Sequence, residues 1–259
     1  MMGNPPSPAL KKLAAAVRRY RKLRGHTQAQ LAALIPCSDK TISAIETGRE
    51  RPSREMIVAV EAALTLPPEA LVDIYDLLDI ESLPSWMRDW LIEERRASSL
   101  RNFEMAIIPG LLQTEDYARS LLKGDEAAVQ ARMERQAILT GETPPTLRCV
   151  LDEAVLYRNK GGPEVMHNQL KRLVESVSER LTIQIIRSDV SPRLSGAFAI
   201  GNVDGREVAY VETAVRGIVT GSHDDIARLE DVWETIRTYA LPQQESLDFI
   251  QRTAEERWT

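Results

Sequence analysis

The sequence predicts an α+β chain, in which an all-α domain precedes a mixed α/β domain with a small sheet. Three observations carry this prediction. Apolar residues recur at spacings of three and four through the first quarter of the chain, with Gly, Ser and Pro punctuating them. From Leu83 onward, helical stripes alternate with short strand-like runs. The length of 259 residues favours two folded units over one.

Composition narrows the classes of function. Hydrophobic residues make up 43% of the chain and charged residues 27%, so both units can carry a core. No apolar run approaches the ~20 residues that cross a bilayer, and no apolar signal-peptide core follows Met1. A cytoplasmic protein with no membrane partner is expected. Cys37 and Cys149 lack a second cysteine or a histidine at metal-ligand spacing, and His26, His167 and His223 are scattered. No disulfide framework, metal site or cofactor is therefore expected. The net charge of −5 is unevenly divided: residues 1–68 hold 11 Lys and Arg against 5 Asp and Glu, a net of +6, and the remainder 22 against 33, a net of −11. A basic head on an acidic body suits nucleic-acid binding, because phosphates need cations only where the duplex lies.

In the head, Leu10, Leu13, Val17, Tyr20 and Leu23 mark one buried stripe of a helix. The other side carries Lys11, Lys12, Arg18, Arg19, Arg21, Lys22 and Arg24, with no acidic residue among them. Gly25 ends this helix, and Thr27 with Gln30 forms a capping box for a second. Pro36 stops that second helix near Ile35. Ser38 caps a third, with Ile42 and Ile45 as its apolar positions and Gly48 as its stop. Two short helices joined by a tight turn follow the helix-turn-helix plan. Ser53 caps a fourth helix bearing Ile57, Val60, Glu61 and Leu64, and Pro67 and Pro68 close the domain. Leu71, Ile74, Leu77 and Leu78 predict one more short helix as a bridge. The expected division is therefore a head over 8–68, a helical linker over 69–83 and a second domain over 84–257.

The run TQAQLAALIPCSDKTISAIETGRERPS resembles the motif of phage-repressor, or xenobiotic-response-element (Cro-like), regulators. Gln28 opens the second helix, Ala32 is small where the helices cross, and Glu46, Gly48, Arg51, Pro52 and Ser53 close the motif. Pro36 departs from the glycine usual in the turn, which is expected to reshape it. The resemblance implies that the third helix enters the major groove of double-stranded DNA. Gln28, Asp39, Lys40, Thr41 and Ser43 are then the base-reading candidates. Lys40 suits guanine and Asp39 suits cytosine. Thr27, Ser38, Arg49 and Arg51 are candidates for the phosphates. One such helix is rarely enough, so a homodimer on a palindromic operator is expected.

Beyond Leu83 the order reads as helices around Trp86 to Leu91, Thr114 to Leu122, Ala127 to Leu139 and Val165 to Arg180. Strands are expected at Leu147 to Leu151, Leu181 to Arg187, Ala197 to Val203 and Glu207 to Glu212, and the apolar run Met105 to Ile108 stops at Pro109. Amphipathic helices bearing Ile226, Trp233, Ile236 and Ile250 close the chain. The segments FEMAIIPGLLQTEDYARSLL, RMERQAIL, VLDEAVLYRNKGGPEVMHNQL and VAYVET are similar to a C-terminal domain of unknown function in actinomycete regulators described as antitoxin-like. The resemblance implies a regulator, but it supplies no ligand or ligand-binding residues. The second domain is expected to mediate dimerisation and to sense a small molecule or a small co-encoded protein, the alternative being an antitoxin-like protein that binds that partner and uses DNA binding for autoregulation. Asp152 and Glu153 are read as the start of a capped helix and Gly161-Gly162 as a turn, not as a catalytic set with Tyr157, and no nucleophile elbow or phosphate-cradling loop is present. Trp86 and Trp90 are read as core. No enzymatic activity is expected, and the leading reading is a sequence-specific DNA-binding transcriptional regulator.

Overall fold

A computed structural model of the chain describes residues 7–80, 85–189 and 196–259. It forms two units, Met1–Leu83 and Pro84–Thr259. The first consists of α1 (Pro8–Leu23), α2 (Gln28–Leu34), α3 (Asp39–Glu46), α4 (Arg54–Ala63) and α5 (Val72–Ile80). Leu13, Val17, Leu31, Ile42, Ile45, Ile57 and Val60 meet in one core with almost no solvent exposure. Each of the first four helices begins on a hydroxyl residue, Ser7, Thr27, Ser38 or Ser53, whose side chain accepts an N–H of the first turn.

The stretch expected as a linker belongs to this core. Leu71, Val72, Tyr75 and Leu78 are buried with the residues of α1 to α4. The buried Glu61 of α4 accepts the N–H of Leu71 and, at 2.9 Å, that of Val72, so one carboxylate caps the start of α5. Arg54 adds an ion pair to Asp76 at 3.5 Å. The expected border at residues 83 and 84 lies outside the described residues.

The second unit runs α6 (Ser85–Arg96), β1 (Ser99–Glu104), α7 (Glu115–Leu121), α8 (Glu126–Arg135), β2 (Thr146–Asp152), α9 (Ala154–Tyr157), α10 (Pro163–Ser176), β3 (Leu181–Ile186), β4 (Phe198–Val203), β5 (Arg206–Val211), β6 (Ile218–Thr220), α11 (His223–Tyr239) and α12 (Gln243–Arg257). Among the described residues six strands lie in the order β3-β2-β1-β4-β5-β6. β1, β2 and β3 are parallel, with helical crossovers between them, while β4, β5 and β6 continue antiparallel from β1. The chain is thus α+β, as expected. On one face Phe103, Val150, Phe198, Ile200 and Ala209 pack under Ile226, Trp233 and Ile236 of α11.

Two strands lie outside the sequence reading. β1 is central, yet its buried Leu100 and Phe103 are three residues apart and face opposite sides, so the period-two signal is missing. Arg101 between them is held by Glu207 and Glu230. β6 is only three residues long. The helix expected to reach Arg180 ends at Ser176, because Ser178 and Leu181 exchange backbone hydrogen bonds in a turn that feeds β3. The side chain of Trp86 lies outside the described residues. Asp152 accepts the N–H of Ala154 at 2.8 Å at the start of α9, and Glu153 accepts that of Ser188, beyond β3, at 3.1 Å.

Candidate nucleic-acid interface

The interface is assembled by the turn between α2 and α3. Thr27 Oγ1 accepts the N–H of Gln30 at 3.2 Å and Gln30 Oε1 accepts that of Thr27 at 2.7 Å, which completes the capping box. At the other end of α2, Ile35 is extended at φ −136° and ψ 156°, the conformation favoured before proline. Cys37 N–H then donates to Ile35 O at 2.7 Å around Pro36. This tight three-residue turn needs no positive φ at its centre and accommodates proline where glycine was expected. Ser38 Oγ accepts the N–H of Thr41 at 3.1 Å and starts α3.

The predicted residues fall into three groups. Asp39 and Lys40 are exposed in the first turn of α3, and Asp39 Oδ1 accepts the N–H of Lys40 at 2.9 Å. Beside them, the half-buried Thr41 shares a 2.9 Å hydrogen bond with Ser38 Oγ, and Ser43 is half-buried one turn on. Thr27 and Ser38 serve as caps, placing helix N-termini at the surface where backbone N–H groups can meet phosphate. Arg49 and Arg51 follow α3. Arg49 Nε donates to Thr47 Oγ1 at 2.9 Å, and the Arg51 guanidinium lies 5.5 Å from the centre of the Tyr75 ring of α5. Gln28 stands apart from these groups, because its amide donates to Glu46 Oε2 at 2.9 Å.

Glu46 is the centre of a bracket that sequence reasoning missed. Arg21, counted above with the cationic side of α1, is buried at 7% exposure. Its Nε and Nη2 donate to the two Glu46 oxygens at 2.5 and 2.8 Å, and its Nη1 donates to His26 O at 2.6 Å. Burial alone would raise the Glu46 carboxyl. The hydrogen bonds from Arg21 and Gln28, with the charges of Arg21 and Arg18, outweigh it and hold the group below the usual carboxylate range. The same hydrogen bond raises the Arg21 guanidinium. One ion pair thus joins α1, the start of α2 and the end of α3, fixing the helix that carries Lys40. The clue available in the sequence was Glu46 itself, an acid on the apolar side of α3 in a head with few acids.

Next to this bracket lies an open groove of about 640 Å³, lined by Lys11, Arg18, Arg19 and Lys22 of α1 with Glu46 and Thr47 at the end of α3. The small Ala14 and Ala15 of α1 also line it. This chemistry suits an anionic backbone.

Two short helices in this geometry, a capped and exposed third-helix N-terminus and a cationic surround define a helix-turn-helix DNA-binding regulator of transcription. A family model described as a helix-turn-helix domain matches residues 12–75. The chain belongs to the family defined by the domain of unknown function DUF5753, whose model matches residues 87–252, more than half of its length. Among solved structures it is similar to the clp gene regulator ClgR from C. glutamicum, at 29% identity and a TM-score of 0.25, over 28% of this chain and 94% of that one. No curated protein matches the chain. Among the described residues no helix is long and apolar enough to cross a membrane, and no group of His, Cys, Asp and Glu is arranged to hold a metal ion.

Proposed function

We propose that the chain is a sequence-specific regulator of the phage-repressor kind, which binds a palindromic operator as a homodimer and acts by binding, not catalysis. In this reading the acidic second domain supports self-association and responds to an effector. The observation that carries the proposal is the first turn of α3, where Lys40 and Asp39 are exposed on a helix held by the buried Arg21 and Glu46 pair. Lys40 reads guanine and Asp39 cytosine, and the two-fold pairing sets half-sites about one helical turn, ~34 Å, apart. Selection of bound duplexes from a random pool should yield a palindrome with that spacing. A pool that emerges unenriched would overturn the reading.

Two substitutions separate reading from positioning. Lys40→Ala is expected to weaken operator binding roughly 5- to 150-fold, as the loss of one base contact worth ~1–3 kcal/mol, while binding to random DNA changes little. Equal loss on both would remove Lys40 from the base-reading set. Arg49→Ala should instead weaken all sequences alike and lower the slope of log affinity against log salt by about 1. Both are checked by titration at several salt concentrations. Purification of the chain with a small protein in equal amount on its second domain would move its main role to sequestering that partner, with DNA binding left for autoregulation.

A further inference from the structure

The second unit contains a hollow of about 120 Å³ between the sheet and helices α6 and α8. The strand register explains it. Asn102 of β1 and Tyr210 of β5 flank Ala199 of β4. Two residues before Ala199, the Ala197 carbonyl accepts the Glu212 N–H at 3.1 Å, and Glu104 follows Phe103, the partner of Phe198. Two alanines, Ala199 in the middle strand and Ala197 just before it, leave a trough between two rows of longer side chains. Trp90 of α6 lines it and stacks on Tyr210 with ring centres 5.8 Å apart.

The polar groups around the trough are unevenly satisfied. Glu94 is engaged by Arg135 through two hydrogen bonds of 2.5 and 2.6 Å and by Trp90 Nε1 at 3.2 Å. Arg132 donates to Gln113 Oε1 at 3.0 Å, and burial next to the Arg135 charge lowers it to about 10. Glu104 Oε2 is fully buried and has no hydrogen-bond partner. Burial and the neighbouring Glu212 charge push this carboxyl up to about 8. Three glutamates and two arginines line the hollow, so its charges balance while Glu104 is protonated and leave one negative charge in excess once Glu104 ionises.

We propose that this hollow binds a small organic monocation, a protonated alkylamine whose ammonium sits between Glu104 and Glu212 and against the Trp90 and Tyr210 rings. An ammonium supplies three donors to the side where an acceptor lacks one. Its charge favours the ionised form of the Glu104 carboxyl and pairs with it, and aromatic faces attract it through their quadrupoles. An anion beside Glu104 and Glu212 would be repelled by the Glu212 carboxylate, and a neutral alcohol brings no charge to pair with Glu104. The volume, about that of four liquid waters, limits the ligand to a handful of heavy atoms. The proposal rests on the reading of the second domain as effector-responsive and names the chemistry of the effector.

The test is a titration of the full chain with n-butylammonium chloride, followed by tryptophan fluorescence and calorimetry, with n-butanol and butyrate as neutral and anionic counterparts. Saturable binding of the amine at least tenfold tighter than of either counterpart is expected. Glu104→Gln, which keeps shape and hydrogen-bonding capacity, should weaken it at least tenfold while thermal stability stays level or rises. Ala199→Leu, which fills the trough, should abolish it. No saturable amine binding, equal binding of n-butanol, or an unchanged affinity in Glu104→Gln overturns the site. Operator affinity measured in the same solutions separates the two readings. Amine binding that leaves operator affinity unchanged keeps the site and removes its effector role.

Discussion

Arg21→Ala is expected to destabilise the first unit by about 3–5 kcal/mol, because it leaves the Glu46 carboxylate buried without its cation. Calorimetry should show the transition of the helical unit moving down while that of the second unit stays in place. The paired change Arg21→Met with Glu46→Leu should recover most of the stability, since apolar groups of similar volume commonly replace a buried pair without loss. DNA binding should still be weakened in that double variant, because the hydrogen bond from Gln28 to Glu46 that ties α2 to α3 is gone. Arg21→Lys should fall between, as a single ammonium cannot reproduce the two-pronged contact. Full stability of Arg21→Ala would show that the pair is not a structural bracket.

The same pair sets an acid limit. Glu46 has a folded pKa below its ordinary value of 4.5. Its contribution is therefore complete above the ordinary carboxylate range and is lost as pH falls through the depressed folded value. Glu46→Gln should flatten that acid arm of the stability curve. A parent and variant with parallel acid arms would refute the assignment.

Glu61→Ala is the second large effect expected. It removes the acceptor shared by the N–H groups of Leu71 and Val72. Each buried donor left without a partner costs about 1–3 kcal/mol, so the start of α5 should open. Hydrogen exchange should accelerate through Val72–Ile80 well before it changes in α1 or α3. Glu61→Gln, which retains an acceptor oxygen, should restore much of the protection. Exchange in Glu61→Ala matching the parent would mean that the apolar contacts of α5 hold it without the carboxylate.

These effects separate what local sequence carries from what it does not. The helix-turn-helix was legible because its signals lie within a few residues of each other: Thr27 with Gln30, Ser38 with Thr41, Ser53 with Met56, and glycines at positive φ in Gly25 and Gly48. The Ser38 cap puts Asp39 and Lys40 in the first turn of α3, while their reading as base contacts came from the family resemblance. Arg21 was misplaced because spacing treats any arginine as a surface residue, whereas its partner Glu46 stands 25 positions away. α5 looked like a bridge because its N-terminal acceptor, Glu61, is supplied by the helix before it. Strand β1 was hidden because two of its polar residues, Arg101 and Glu104, face partners and a hollow contributed by later strands and helices.

By itself the sequence determined the α+β order, the capped helices of the head, the basic charge of that head and the residues at the tip of α3. Tertiary structure alone decided which charges are buried, where α5 belongs, that β1 sits at the centre of the sheet, and that Ala197 and Ala199 open a trough beneath Trp90. The division has one physical reason. Caps, turns and hydrophobic periods are local interactions encoded by neighbours in the chain. Buried ion pairs, strand order and cavities depend on contacts between residues that only folding brings together.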